Sequence, residues 1–205
     1  MSEDVLSDAF FDARERDLKK RLKPKRFEHA RGVSKTAASL AETYGVDVRK
    51  ARLAGLLHDW DKEYDEIRER ARALGVDVHP YVLDTMPRLL HGPTAAAELV
   101  RAYPDLSADV VQAIARHTAA AVGMSDLDMI IYIADAIEPS RDFDGLDELR
   151  AAIGAVPLEE LFMMTFNHIL LTLVERRRRL HPATVEVWNH YVARSRDAKA
   201  EKGTA

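Results

Sequence analysis

The chain has 205 residues, with 30 Lys plus Arg against 34 Asp plus Glu, a formal net charge of −4, and 47% apolar side chains. That length suits one ordinary domain, and the apolar share is enough for a packed core, which excludes a globally disordered chain. The near-balanced, slightly acidic charge excludes a general nucleic-acid binder, which would carry a clear basic excess.

Only 9 Gly and 8 Pro occur, and no segment alternates apolar with polar residues. The chain therefore reads as all-α, in roughly ten helices. The first is predicted from about Asp4 to Leu22. Pro24 then occupies the first turn of a second helix. Its stripe of Phe27, Ala30, Val33, Ala37, Leu40 and Tyr44 has helical spacing, and Gly45 closes it. A third helix starts near Asp47 and carries Leu53, Leu56 and Leu57. A charged helix follows over about Tyr64 to Leu74, stopped by Gly75. The stretch from Val76 to Pro87 holds two prolines and reads as a loop.

His91-Gly92-Pro93 opens a helix that runs to Tyr103. Ser107 is an expected N-cap for the next. Asp126 to Ile137 is predicted as a helix that is apolar on nearly every side from Met129 to Ala134. Pro157 starts a long helix with Glu159 and Glu160 at its head and Arg176 to Arg179 at its foot, the order the helix dipole favours. Pro182 starts a last helix through Val185, Trp188 and Val192.

Cysteine is absent, which excludes disulfides, thiolate nucleophiles and thiolate metal sites, and a cytoplasmic location is expected. No apolar run approaches the roughly 20 residues of a membrane span. The stretch MSEDVLSDAFFDARER is acidic and broken by charges, unlike a secretory signal. Any metal must then be held by imidazole and carboxylate, and eight histidines are present.

His58-Asp59 directly follows the apolar run Leu53 to Leu57, and Asp135 follows Ile130 to Ala134. Two apolar helices thus each deliver a carboxylate from a buried surface. Unpaired buried carboxylates are costly, and two brought together without a counter-charge force one to keep its proton. A divalent metal removes that conflict. His29 and His117 fall on apolar helical faces, and His91 sits at a helix entrance, so all three could join such a site. Taken singly, each is more often a satisfied core residue.

The ordered set His29, His58-Asp59 and Asp135, with the stretches LAGLLHDWDK, LLHGP, ARHT, GMSDLDMIIYIADAIEPSRDFDG and HPATVEVWN, resembles the HD superfamily of metal-dependent phosphohydrolases. Within it the chain is similar to the YqeK-type symmetrical bis(5'-nucleosyl)-tetraphosphatases. The resemblance implies an all-α HD-domain helical bundle, one domain over 1–205, with 1–22 as a helical extension and 195–205 as a frayed tail. It also implies a site of two divalent or trivalent metal ions. His29, His58, Asp59 and Asp135 would hold one, and His91, His117 and a bridging Asp59 the other. Iron is the first expectation, with manganese or another transition metal as the alternative.

The implied reaction is hydrolysis of diadenosine tetraphosphate to two ADP by a hydroxide held between the metals. Asp59 and Lys62 would be catalytic, and Lys62 and Arg141 would bind substrate phosphates, Arg141 over the far part of the polyphosphate. Lys62 lies four residues after His58, so the two are expected to share a helix face. The substrate is then a dinucleoside polyphosphate, with no nucleic-acid or membrane partner, and a homodimer is left open.

The alternatives are another HD phosphohydrolase acting on nucleoside mono- or triphosphates or cyclic nucleotides, or a non-catalytic metal-binding helical module. Asp61 departs from the small residue common in the family and is expected either to pair with Lys62 or to face solvent. Ala119 stands where a second hydroxyl after Thr118 is common. His79, His168, His181 and His190 read as structural, and Arg176 to Arg179 as a solvated helix end.

Overall fold

The computed structural model describes residues 4–203. Among them are eleven α-helices, one 3-10 turn and no strand. They are α1 (Asp8–Arg21), α2 (Pro24–Tyr44), α3 (Val48–Leu57), α4 (Ile67–Leu74), α5 (Pro80–Thr85), the 3-10 turn Pro87–Leu89, α6 (His91–Ala102), α7 (Ala108–Arg116), α8 (Asp126–Ile137), α9 (Leu146–Ala151), α10 (Leu158–Glu175) and α11 (Thr184–Gly203). No helix among the described residues is long and apolar enough to cross a membrane.

Local chemistry sets these boundaries. α1 begins later than expected because the Ser7 hydroxyl, accepting from the Phe10 N–H, is its cap. Asp47 caps α3 by accepting from the Arg49 and Lys50 N–H groups. Ser125 and Asp128 form a reciprocal capping box at the head of α8. α2 ends at Gly45, whose φ of 73° lies in the left-handed region.

The stretch 76–87 is not a loop throughout. His79 caps α5 by accepting from the Tyr81 N–H, and Pro80 and Pro87 occupy first-turn positions of α5 and of the 3-10 turn. Both prolines start helical turns, because a first-turn position needs no N–H from its residue. α9 is likewise absent from the sequence reading. α11 runs as far as Gly203 through the segment expected to fray; the last two residues of that segment lie outside the described ones, as do 1–3.

α8 is the axis of the bundle. Its apolar run, Met129 to Ala134, is buried on all sides, with α2, α3, α7 and α10 packed round it. A helix apolar on every face is stable in water only when so enclosed. α3 lies between α2 and α7, α6 packs on α7, and α4 on α6. One buried apolar cluster runs from Phe10 in α1 to Tyr191 in α11, and a small second cluster gathers Ala71, Val82 and Leu90 beneath α4 and α5. The Tyr191 hydroxyl accepts from the Met124 N–H at 2.9 Å and so ties α11 to the loop before α8. This packing brings the foot of α3, the foot of α7 and the foot of α8 against the first turns of α2 and the head of α6.

Candidate metal centre

His29 sits in the first half of α2, His58 and Asp59 directly after α3, His91 at the head of α6, His117 directly after α7, and Asp135 in the last turn of α8. The four histidines and Asp59 are each at most 5% exposed. All six residues converge.

Each imidazole is oriented by a bond from its Nδ1. His58 Nδ1 lies 2.7 Å from the Gly55 carbonyl, His91 Nδ1 2.7 Å from the Arg88 carbonyl, and His117 Nδ1 2.7 Å from the Ile114 carbonyl. A carbonyl only accepts, so each Nδ1 donates. His29 Nδ1 donates to Glu138 Oε1 at 2.9 Å. All four Nε2 atoms are thereby turned inward, and in the neutral rings they present lone pairs, the arrangement by which a histidine is held ready for a metal.

The inward atoms form three overlapping sets, two sharing Asp59 and a third of His58, His117 and Asp135 that joins them. On one side His29 Nε2 is 3.7 Å and His58 Nε2 3.4 Å from Asp59 Oδ2, and His29 Nε2 is 3.0 Å from Asp135 Oδ1. On the other, His91 Nε2 is 3.0 Å and His117 Nε2 3.9 Å from Asp59 Oδ1. Donor atoms of His29, His58 and Asp59, and again of Asp59, His91 and His117, lie within 4.8 Å of one another.

Burial raises the Asp59 carboxyl, but the charge and hydrogen bonding of His58, then His91 and Lys62, hold it well below the usual carboxylate range. Asp135 is also held well below that range: burial works against it, and the neighbouring His29 and His58 rings and the Arg141 guanidinium outweigh burial. Both are therefore carboxylates. Burial, reinforced by the charges of His58 and His91, keeps the His117 imidazole well below its ordinary value and so neutral.

The donor set fits a cation. His91 Nε2 and His117 Nε2 are 3.0 Å apart, although both rings spend their Nδ1 proton on a carbonyl. With both rings neutral, two lone pairs would face each other there. His58 Nε2 is buried without a hydrogen-bond partner. Such groups are costly unless a cation completes them. Imidazole nitrogen with carboxylate oxygen suits a first-row transition metal.

Lys62 reaches the site, though not along a helix face. α3 stops at Leu57, and 58–64 is a series of tight turns, Trp60 N–H to Leu57, Lys62 N–H to Asp59 and Tyr64 N–H to Asp61. That path sets the Lys62 ammonium 3.1 Å from His91 Nε2 and 3.4 Å from Asp59 Oδ1. Arg141 is anchored beside Asp135. Its guanidinium donates to Asp135 Oδ1 at 2.5 Å and to the Asp135 carbonyl at 2.8 Å.

Asp61 neither pairs with Lys62 nor faces solvent. Its side chain is fully buried and accepts from Arg70 at 2.6 Å and from Arg21 at 3.1 Å. The Arg21 guanidinium also lies 4.5 Å from the Trp60 ring centroid. The Thr118 hydroxyl is taken up by the Leu89 carbonyl.

Two groups at the site were missed in the sequence. Arg26 donates to Asp59 Oδ2 at 3.0 Å. It lies three residues before His29 on the same helix, and that spacing is a readable signal. Glu138, beyond the foot of α8, orients His29 and accepts from the Ser140 N–H at 2.8 Å and from the Ser140 hydroxyl. Those bonds outweigh burial and lower the Glu138 carboxyl below its usual range.

Close approach of backbone is needed here too. A Cβ on Gly32 would stand 2.5 Å from Glu138 Oε2, and one on Gly92 would stand 3.1 Å from the His117 ring. Glu138→Ala should therefore weaken metal binding about 10–100-fold, the usual cost of losing a histidine's outer partner. Gly32→Ala should shift affinity the same way by displacing Glu138. Chelator competition measures both, and unchanged affinity in Glu138→Ala would remove its orienting role.

The HD domain family model matches residues 26–140, which holds all six convergent residues. The chain belongs to the HD family. This HD chain is 32% identical over 179 residues to a Bacillus subtilis protein named bis(5'-nucleosyl)-tetraphosphatase, symmetrical, across 87% of this chain and 95% of that one. A Staphylococcus aureus protein of the same name is 33% identical, across 84% of this chain and 90% of its own. Among solved structures, one from Clostridium acetobutylicum described as a predicted HD superfamily hydrolase involved in NAD metabolism superposes with a TM-score of 0.83 at 35% identity, over 90% of this HD chain and 97% of that one.

Proposed function

We propose that this HD protein hydrolyses diadenosine tetraphosphate at its central bridge and releases two ADP, acting in the cytoplasm as one folded domain. The observation that carries this reading is the sharing of Asp59 between two histidine sets beside a cleft of about 1040 Å³ that Lys62, His91, His117, Asp135 and Arg141 line. The relatives' names favour the same substrate.

His29, His58, Asp59 and Asp135 would hold one ion, and His91, His117 and Asp59 the other, with iron as the first candidate. When bound, the ions supply Lewis acidity and lower the pKa of a water toward neutrality. The protein's own part is positional and electrostatic. The four Nδ1 bonds keep the rings from turning, and Arg26 holds Oδ2 of the bridging carboxylate. Lys62 places an ammonium beside the second set, where it can stabilise charge gathering on a phosphoryl oxygen. Arg141, anchored on Asp135, offers a guanidinium edge to a neighbouring phosphate.

Incubating the protein with diadenosine tetraphosphate and ferrous or manganous ion, then separating nucleotides, tests the reading. ADP alone is expected. AMP with ATP, or no turnover with either ion, would overturn it. Lys62→Ala should keep its metals and lose about 10²–10³ in rate, the typical cost of one charge-stabilising contact. Wild-type turnover in that variant would leave Lys62 as a salt-bridge partner of Asp59 only.

A further inference from the structure

The same cleft is lined by two exposed guanidinium groups whose side chains have no hydrogen bond or ion pair among the described residues, those of Arg88 in the 3-10 turn and Arg176 after α10. This sets them apart from the cations nearer the centre. Arg26 and Lys62 are engaged by Asp59, and Arg141 by Asp135.

The basic run at the foot of α10 is a built turn, not a fraying helix end. The Arg177 N–H bonds to the Val174 carbonyl and the Arg178 N–H to the Leu173 carbonyl. Arg177 itself takes a φ of 51°, a left-handed conformation that a residue with a side chain adopts at a cost. Arg179 donates to the Thr85 carbonyl at 3.0 Å. That bond straps the turn to the end of α5, next to the 3-10 turn that carries Arg88. Two unengaged cations are thus held on neighbouring, mutually tied walls of one cleft. Asp142, Asp144 and Glu175 also line it.

We infer that Arg88 and Arg176 form a second anion-binding subsite on the rim of the cleft, which grips the phosphates of the substrate that the metal centre does not reach. The inference rests on the proposed reading of the substrate as a dinucleoside tetraphosphate. A tetraphosphate, longer than a diphosphate, would extend from the centre toward these two forked donors. The pair would then make the protein sensitive to the length of the phosphate chain.

The test is the double variant Arg88→Gln/Arg176→Gln in the metal-loaded protein. Loss of two charge-assisted contacts should raise KM for diadenosine tetraphosphate about tenfold or more, with kcat little changed. The inhibition constant of ADP should move far less, and Arg88→Lys/Arg176→Lys should recover most of the KM. Both residues are exposed, so the thermal midpoint should stay at the wild-type value. An unchanged KM, or equal rises in KM and in the ADP constant, would overturn the subsite. Should the wild type fail to turn over diadenosine tetraphosphate, the proposed reaction fails, but calorimetric titration with inorganic tetraphosphate still tests the rim. Weaker binding by the double variant is expected there, and equal affinity overturns the inference.

Discussion

Asp59→Ala will purify with neither metal position occupied, and its hydrolysis of diadenosine tetraphosphate will fall to background. The reason is geometric. Oδ1 of Asp59 faces His91 and His117, while Oδ2 faces His29 and His58, so one substitution takes a ligand from both sets. It also leaves the Arg26 and Lys62 cations beside four imidazoles with one carboxylate fewer, which further disfavours a bound cation. His91→Ala is the control. It removes a ligand from one set only, and should keep the ion held by His29, His58, Asp59 and Asp135. Metal analysis by mass spectrometry, with circular dichroism to confirm the helical fold, separates the two. Full metal content in Asp59→Ala would end the bridging assignment.

Asp61→Ala will be destabilised by about 3–5 kcal/mol, the cost of breaking a buried ion pair and stranding its partner. The carboxylate is fully enclosed and receives three hydrogen bonds from two arginines. It joins the last residue of α1 to α4 through the turns that carry Asp59 and Lys62. Without it, Arg70, only 13% exposed at its side chain, keeps a charge that its remaining partner, Glu98 at 3.4 Å, offsets incompletely. Urea denaturation gives the stability difference, and a change under about 1 kcal/mol, the range of exposed ion pairs, would return Asp61 to that class. The same variant should show lower activity at elevated temperature, because the turn that places Lys62 loses its anchor.

Much of this architecture was legible in the sequence because its signals are local. α8 announces itself by an unbroken apolar run, Met129 to Ala134, inside a longer segment from Asp126 to Ile137 that shows no apolar–polar alternation. His58-Asp59 stands out because charge follows directly on five apolar or small residues. The convergence of six residues from five segments is visible only as an ordered motif, since no short spacing links them.

What escaped the reading depended on tertiary contacts or on an ambiguous residue. Proline at 80 and 87 is equally compatible with a loop and with a first helical turn, and the cap from His79 decides between them. Asp61 could not be assigned because its partners, Arg21 and Arg70, lie on other helices and compete with the adjacent Lys62. Glu138 belongs to the quoted motif, yet its role depends on a contact with His29 across 109 positions.

The orientation of the four imidazoles divides them by where their instructions reside. His58, His91 and His117 each lean on a carbonyl three residues earlier in their own segment, a carbonyl that a helix terminus leaves available. A graft of any of these segments onto another scaffold would carry the ring's tautomer and direction with it. His29 lies inside α2, where the backbone carbonyls are already spent on the helix, so it borrows its acceptor from Glu138. Transplanted alone it would arrive unaimed. Rebuilding this centre elsewhere therefore requires three self-sufficient helix ends and one long-distance pairing, together with the bare Gly32 surface over which that pairing is made.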